Sequence, residues 1–266
     1  MFQRITHPTD LSADGRAAFV LSLALALRTG AHLRAVHVEQ GSADWEAWPH
    51  ASELLDRWGH ARDDRHLHLQ KLHIADGRVW HALLDDLSAH PPSLLVLATS
   101  ARDGWQRFTT ENVAEPLVRA GRVPSLVLPH GAPPLVDEAT GLIRLRRVLM
   151  PVAVRPSAAR ARALVDGLAA LSDGTTLVRE VSIGEAEPPP FRAGPPPRGM
   201  SVDKERISHA ASVVDTVLAQ VDELKPDLVV LTSRGHDGPL DALFGSTAEQ
   251  VLRRSGVAVL VVPAAR

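Results

Sequence analysis

Short apolar runs alternate along the chain with longer stretches whose apolar residues fall three and four positions apart. The short runs are too brief for helices and predict strands at residues 5–9, 32–38, 66–74, 94–99 and 123–128. Between them an alanine- and leucine-rich stretch, capped by Ser12 and ending near Gly30, predicts the first helix. Helices at 52–62, 78–89 and 112–120 complete the first half. The second half opens with a strand at 147–152 and a helix capped by Ser157, and places its second strand near 176–181. Its last strand is 257–262. Strands alternating with helices predict a mostly parallel sheet covered on both faces.

The pattern repeats. Leu94-Leu95-Val96-Leu97 through Pro129 aligns without a gap on Leu228-Val229-Val230-Leu231 through Pro263, at an offset of 134. Asp103/Asp237, Gly104/Gly238, Ala114/Ala248, Glu115/Glu249 and Arg119/Arg253 are identical pairs. The helix face Trp80, Leu83, Leu84, Leu87 returns as Val214, Val217, Leu218, Val221. A gapless register of this length predicts two copies of one domain, residues 1–130 and 146–266, joined by a linker at 131–145 that holds Gly131, Pro133 and Pro134. Residues 184–200 carry Pro188-Pro189-Pro190 and Pro195-Pro196-Pro197, which cannot donate ladder hydrogen bonds, so an extended loop is expected where a second helix would stand.

Composition narrows the function. With 266 residues and 45% hydrophobic content the chain can bury a core in each half. Lys+Arg 29 against Asp+Glu 31 gives no polyanion-binding surface, so nucleic acid is not an expected partner. Zero cysteines exclude disulfides, thiol nucleophiles and thiolate metal sites. The N-terminus lacks the apolar core of a signal peptide and no run is long enough to span a bilayer, so a cytoplasmic protein without membrane contact is expected.

In an open parallel sheet, ligands sit beyond the carboxyl ends of the strands where the strand order reverses. There the second half has Thr232-Ser233-Arg234-Gly235, and then Gly245-Ser246-Thr247 opening a helix. Gly235 permits close backbone approach, and Gly245 with the following amides and hydroxyls suits an anion. Together with Phe244 through Leu252, Val259-Leu260-Val261-Val262-Pro263 and the first strands Ile5-Thr6-His7-Pro8-Thr9-Asp10 and Val148-Leu149-Met150-Pro151-Val152, these residues resemble the universal stress protein family in tandem form. The resemblance implies two doubly wound α/β domains, each a five-stranded parallel sheet of the universal stress protein, or adenine nucleotide alpha hydrolase-like, type. In part of that family it implies ATP held by a G-x2-G-x9-G-S/T motif and an aspartate after the first strand. It also implies that the final strands pair the two halves within the chain. A further homodimer and an unidentified protein partner are left open.

This chain departs from the motif in both halves. In the second, Thr232 replaces the first glycine and Ala153 the aspartate, while Gly235, Gly245 and Ser246 fit. In the first, Asp10 is present but Ala98, Ala101 and Glu111 occupy the glycine positions, with Asn112 in the serine place. A carboxylate at Glu111 would repel a phosphate by several kcal/mol. The missing contact at Ala153 forfeits roughly 1.5–3 kcal/mol. Any ATP is therefore expected, weakly, in the second half, at Pro151, Val152, Thr232, Gly235, Gly245, Ser246 and Thr247, with Arg234 and His236 flanking. The reading is a stress-response nucleotide sensor or scaffold. Its alternatives are a slow ATPase and a protein-interaction module with two dead clefts.

Other chemistry is sparse. No G-x-S-x-G, H-E-x-x-H or P-loop motif occurs, so no catalytic residue is assigned and at most very slow hydrolysis is expected. His66 and His68 alternate on one predicted strand with His73 facing away, a pattern better suited to a solvated strand than to a metal, and none is expected. All five tryptophans, Trp45, Trp48, Trp58, Trp80 and Trp105, lie in the first half, where Trp58 and Trp80 are expected in the core.

Overall fold

The computed structural model describes residues 1–9, 15–38, 50–60, 68–74, 79–99, 123–184, 195–208, 212–233 and 246–264. Contacts divide the chain into two compact units, Met1–His130 with Pro134–Ile143, and Gly131–Pro133 with Arg144–Arg266. In the first unit, strands β1 (Arg4–Thr9), β2 (His32–Val38), β3 (His68–Ile74), β4 (Leu94–Ala98) and β5 (Ser125–Leu128) run parallel in the order β3-β2-β1-β4-β5. Helices α1 (Gly15–Thr29), α2 (Ala51–Arg57) and α3 (Val79–Ala89) connect them. The second unit repeats the order as β8-β7-β6-β9-β10, from β6 (Arg147–Val152), β7 (Thr176–Ile183), β8 (Met200–Ile207), β9 (Leu228–Ser233) and β10 (Ala258–Pro263). Its helices are α4 (Ala159–Leu171), α5 (Val213–Leu224) and α6 (Ser246–Arg254).

The central strands β4, β6, β9 and β10 are mainly apolar, because a parallel sheet is covered on both faces; β1 instead buries the polar Thr6 and His7. Val148, Leu149, Met150, Val229 and Val230 are fully buried, as are Ile5, Leu33 and Val96. Helix α1 is buried at nine successive residues, 18–26, which a helix apolar all round requires. It ends in a Schellman turn: Gly30 takes φ +67°, and the Ala31 N–H donates to the Ala26 carbonyl at 3.1 Å.

The repeat extends to individual hydrogen bonds. Before β4, Ser93 Oγ accepts from the Gln3 and Arg4 amides at 3.0 and 3.1 Å. Before β9, the offset-matched Asp227 Oδ2 accepts from the Arg146 and Arg147 amides at 2.7 and 2.8 Å. On the second strand of each unit an arginine bonds the neighbouring strand and the helix that follows that neighbour. Arg34 donates to Gln70 (2.6 Å) and Asp86 (2.5 Å), and Arg179 to Asp203 (3.0 Å) and Glu223 (2.8 Å).

Several elements differ from the sequence reading. Helix α2 stops at Arg57, not residue 62, because Gly59 takes φ +76°. The N-cap of α4 is Ala158; Ser157 lies one residue earlier, its hydroxyl accepting from the Ala159 amide at 3.3 Å. No local pattern in the sequence predicts strand β8: its edge sequence Ser201-Val202-Asp203-Lys204-Glu205-Arg206 is largely exposed and charged, which protects a sheet edge but hides the strand's apolar signal. Among the described residues no helix stands between β7 and β8. The Ser12 cap, the helix at 112–120 and residues 185–194 lie outside the described residues.

The segment read as a linker at 131–145 holds an ordered hairpin within the first unit, residues 134–143. Val136 and Ile143 form an antiparallel bridge, with Leu135 and both of them buried. Asp137 closes the turn, its carboxylate accepting from the Ala139 and Thr140 amides. Glu138 accepts from Arg16 Nε at 3.0 Å and Nη2 at 2.5 Å, and from Arg57 Nη1 at 3.4 Å. The Arg16 hydrogen bond holds the Glu138 carboxyl below its ordinary range, aided by the charges of Arg16 and Arg57 against a smaller opposing effect of burial. Trp58 leaves the core role expected of it: its indole N–H donates to the Glu138 carbonyl at 2.9 Å. Gly141, at φ +71°, lies on the ring so closely that a Cβ would stand 2.6 Å from Trp58 Cδ2.

Candidate functional site

The carboxyl edge of the second sheet is shaped by where pairing stops. Strand β6 pairs with β7 over six residues but with β9 only at Val148–Leu149 opposite Leu228–Val229. Pro151 has no N–H to offer either neighbour, and beyond Leu149 the ends of β6 and β9 part. This is the point at which strand order reverses. Pro151 is half-buried and Val152 buried on one side of the opening, and Ala153 just beyond them is exposed. On the other side Thr232 is half-buried, and its Oγ1, buried, has no hydrogen-bond partner among the described residues.

Helix α6 follows β9 and precedes the parallel strand β10, so it runs back against the strands and begins at this same edge. Its first residues are Ser246 and Thr247, the latter half-buried, and its amides carry the positive end of the helix dipole. Topology thus brings Pro151, Val152, Thr232, Ser246 and Thr247 to one edge. Gly235, Gly245, Arg234 and His236 lie outside the described residues.

One charged group at this edge escaped the sequence reading. Arg160, exposed in the first turn of α4, donates from Nη1 to the Pro263 carbonyl at 3.4 Å, and Pro263 is the register partner of Ser233 at the end of β9. Its guanidinium therefore lies over the carboxyl ends of β9 and β10. The only sequence signal was its place in the first turn after the opening strand.

The first unit parts its strands in the same way: β1 pairs with β4 only at Ile5–Thr6 opposite Leu94–Leu95, with Pro8 two residues on. Here, however, the parted strands are bridged. His7, fully buried against Phe19, places Nδ1 3.0 Å from the Val96 carbonyl of β4. A carbonyl only accepts, so Nδ1 carries the proton. The matching position in the second unit is Met150, which has no such donor. His37 makes a similar bond, Nδ1 to the Thr9 carbonyl at 2.9 Å. Ala98 ends β4 half-buried; Asp10, Ala101, Glu111 and Asn112 lie outside the described residues.

Among the described residues no group of three or more His, Asp or Glu side chains is placed to hold a metal ion. His66 lies outside the described residues, and for His68 and His73 only the backbone in β3 is described. No described helix is long and apolar enough to cross a membrane.

Comparison with known proteins bears on this edge. A universal stress protein from Archaeoglobus fulgidus superposes with a TM-score of 0.61 at 16% identity, over 98% of this chain and 96% of that one. A functionally unknown protein from Pseudomonas aeruginosa PAO1 gives 0.62 at 17% identity, over 99% and 93%. These likenesses establish the fold. No curated protein matches the chain. The model of the universal stress protein family matches residues 1–129 and 193–263, one segment on each repeat. The unmatched stretch includes β6 and Ala153, where the resemblance calls for an aspartate. With most of its length matched, and the same strand order built twice, the chain belongs to the universal stress protein family.

Proposed function

We propose that the protein is a stress-response nucleotide sensor or scaffold whose second unit holds an adenine nucleotide weakly. The observation that carries this reading is the parting of β6 and β9 at the switch point, with Pro151 and Val152 on one side and Thr232 on the other. The residues present fit the phosphate end of such a ligand. The start of α6 offers amides and the Thr247 hydroxyl, Arg160 adds a positive charge, and the Thr232 hydroxyl, without a hydrogen-bond partner among the described residues, is available as a donor or acceptor. The ribose end fits less well, since Ala153 supplies no acceptor. Among the described residues no positioned base accompanies these groups, and turnover is expected to be absent or very slow.

The first unit is the weaker candidate, because Glu111 brings a carboxylate to the motif and His7 already occupies the parted strands. Photolabelling with 8-azido-ATP followed by peptide mapping tests the assignment. Label suppressed by excess ATP is expected within residues 146–266. Label in the first unit, or none that ATP suppresses, would contradict it.

A further inference from the structure

Strand β8 ends the second unit's sheet, and its ladder with β7 fixes which backbone groups point outward. The Thr176 and Gly184 amides donate to the Gly199 and Ile207 carbonyls at 2.8 and 2.9 Å, so in this unbroken parallel register the odd-numbered residues from Gly199 to Ile207 face β7. The N–H and C=O groups of Val202, Lys204 and Arg206 therefore point away from the sheet. Among the described residues none of them has a partner.

The side chains divide by face. Asp203 and Glu205 lie on the face covered by α5, where Arg179 meets Asp203 at 3.0 Å, Glu205 at 3.8 Å and Glu223 of α5 at 2.8 Å. Lys204 and Arg206 lie on the α4 face and are exposed. Glu180, the register partner of Lys204, is paired with Arg162 of α4. Among the described residues no carboxylate meets Lys204, Arg206 or Arg198, the last exposed just before the strand. The acids of this edge share an arginine, and its cations have no counterpart.

We propose that the outer edge of β8 is a docking site for an acidic strand of a partner protein, one with Asp or Glu at every second position and uncharged or basic residues between. Its backbone would pair with Val202, Lys204 and Arg206, and its carboxylates would meet Lys204 and Arg206 on the α4 face. Charges on an edge strand repel an arbitrary strand; the same charges select one of the complementary pattern. A second copy is a poor occupant. Pairing about a two-fold axis sets residues an even number apart opposite one another, so registers centred on Lys204 or Glu205 oppose Asp203 to Glu205 or Lys204 to Arg206. Those centred on Asp203 or Arg206 oppose that charge to itself.

Fluorescence anisotropy with the full chain titrated into labelled Thr-Glu-Thr-Glu-Thr-Val-Thr tests this. Saturable one-to-one binding is expected within about 1 mM. The peptide with lysine in place of both glutamates should bind at least tenfold weaker, and so should the acidic peptide N-methylated at its two central peptide bonds. Lys204→Glu combined with Arg206→Glu, at exposed positions, should weaken the acidic peptide at least tenfold and let the lysine peptide bind instead. No saturable binding by the parent, equal binding of the lysine peptide, or equal binding of the methylated peptide would overturn the proposal. So would a parent dimer in sedimentation that the double substitution dissociates, since the edge would then belong to a second copy. If the double variant fails to fold, the three peptides against the parent still decide it.

Discussion

A methyl group at Ala153 stands where the family resemblance calls for a carboxylate, and that one side chain sets the expected weakness of the second unit's site. Restoring an acceptor for a ribose hydroxyl is worth roughly 1.5–3 kcal/mol, so Ala153→Asp should tighten ATP by about one decade or more in a calorimetric titration. Arg160 acts at the other end of the ligand. If its charge meets phosphate, Arg160→Gln should weaken ATP by about one to two decades and leave adenosine unchanged; equal losses for both would remove Arg160 from the phosphate contacts. Glu138 governs the hairpin. Its folded-state pKa is lowered by Arg16, so its contribution to stability is present above the ordinary carboxylate range and is lost as pH falls through the folded value. Because both partners are partly exposed, the pair contributes at most about 1 kcal/mol. Thermal unfolding should show Glu138→Gln less stable than the parent at pH 7, with the difference vanishing in acid.

Elements with strong apolar periodicity could be read directly, and those defined by distant partners could not. Strands β4, β6 and β10 are mainly apolar, largely buried runs, and their bounds, like those of β1, fall within about two residues of those the sequence predicts. Strand β8 is half-solvated and charged, so its strand character rests on the ladder with β7, which no local pattern reveals. The hairpin reads as a linker because Gly131, Pro133 and Pro134 are breakers. What orders it is the fit of Gly141 to Trp58 and of Glu138 to Arg16, across more than eighty residues of chain. No sequence signal marks the Arg34 and Arg179 pairs, which fall outside the gapless part of the repeat. Asp227, by contrast, lies inside it, aligned on Ser93. Its two accepted amides are exposed and can turn to water, so Asp227→Ala should cost only roughly 1 kcal/mol in urea unfolding, and Asp227→Ser, copying the first unit, less.

Across the whole molecule, one strand order appears twice, and the two copies have treated the same opening differently. Both part their central strands after two ladder pairs, each with a proline shortly beyond. The first copy spans the gap with the buried His7 imidazole and carries Glu111 in its motif; the second leaves the gap beside an apolar Met150, an unpartnered Thr232 hydroxyl and the start of α6. This asymmetry was legible in the sequence at the motif residues and not at His7, whose bond to the Val96 carbonyl depends on pairing ending early. The proposed nucleotide site is therefore in the second copy alone. Titrating ATP into Gly245→Glu beside the parent tests that most directly, because the substitution gives the second copy the first copy's carboxylate where phosphate would rest. Measurable binding by the parent and its loss in the variant by at least two decades are expected; the same affinity in both would contradict the assignment.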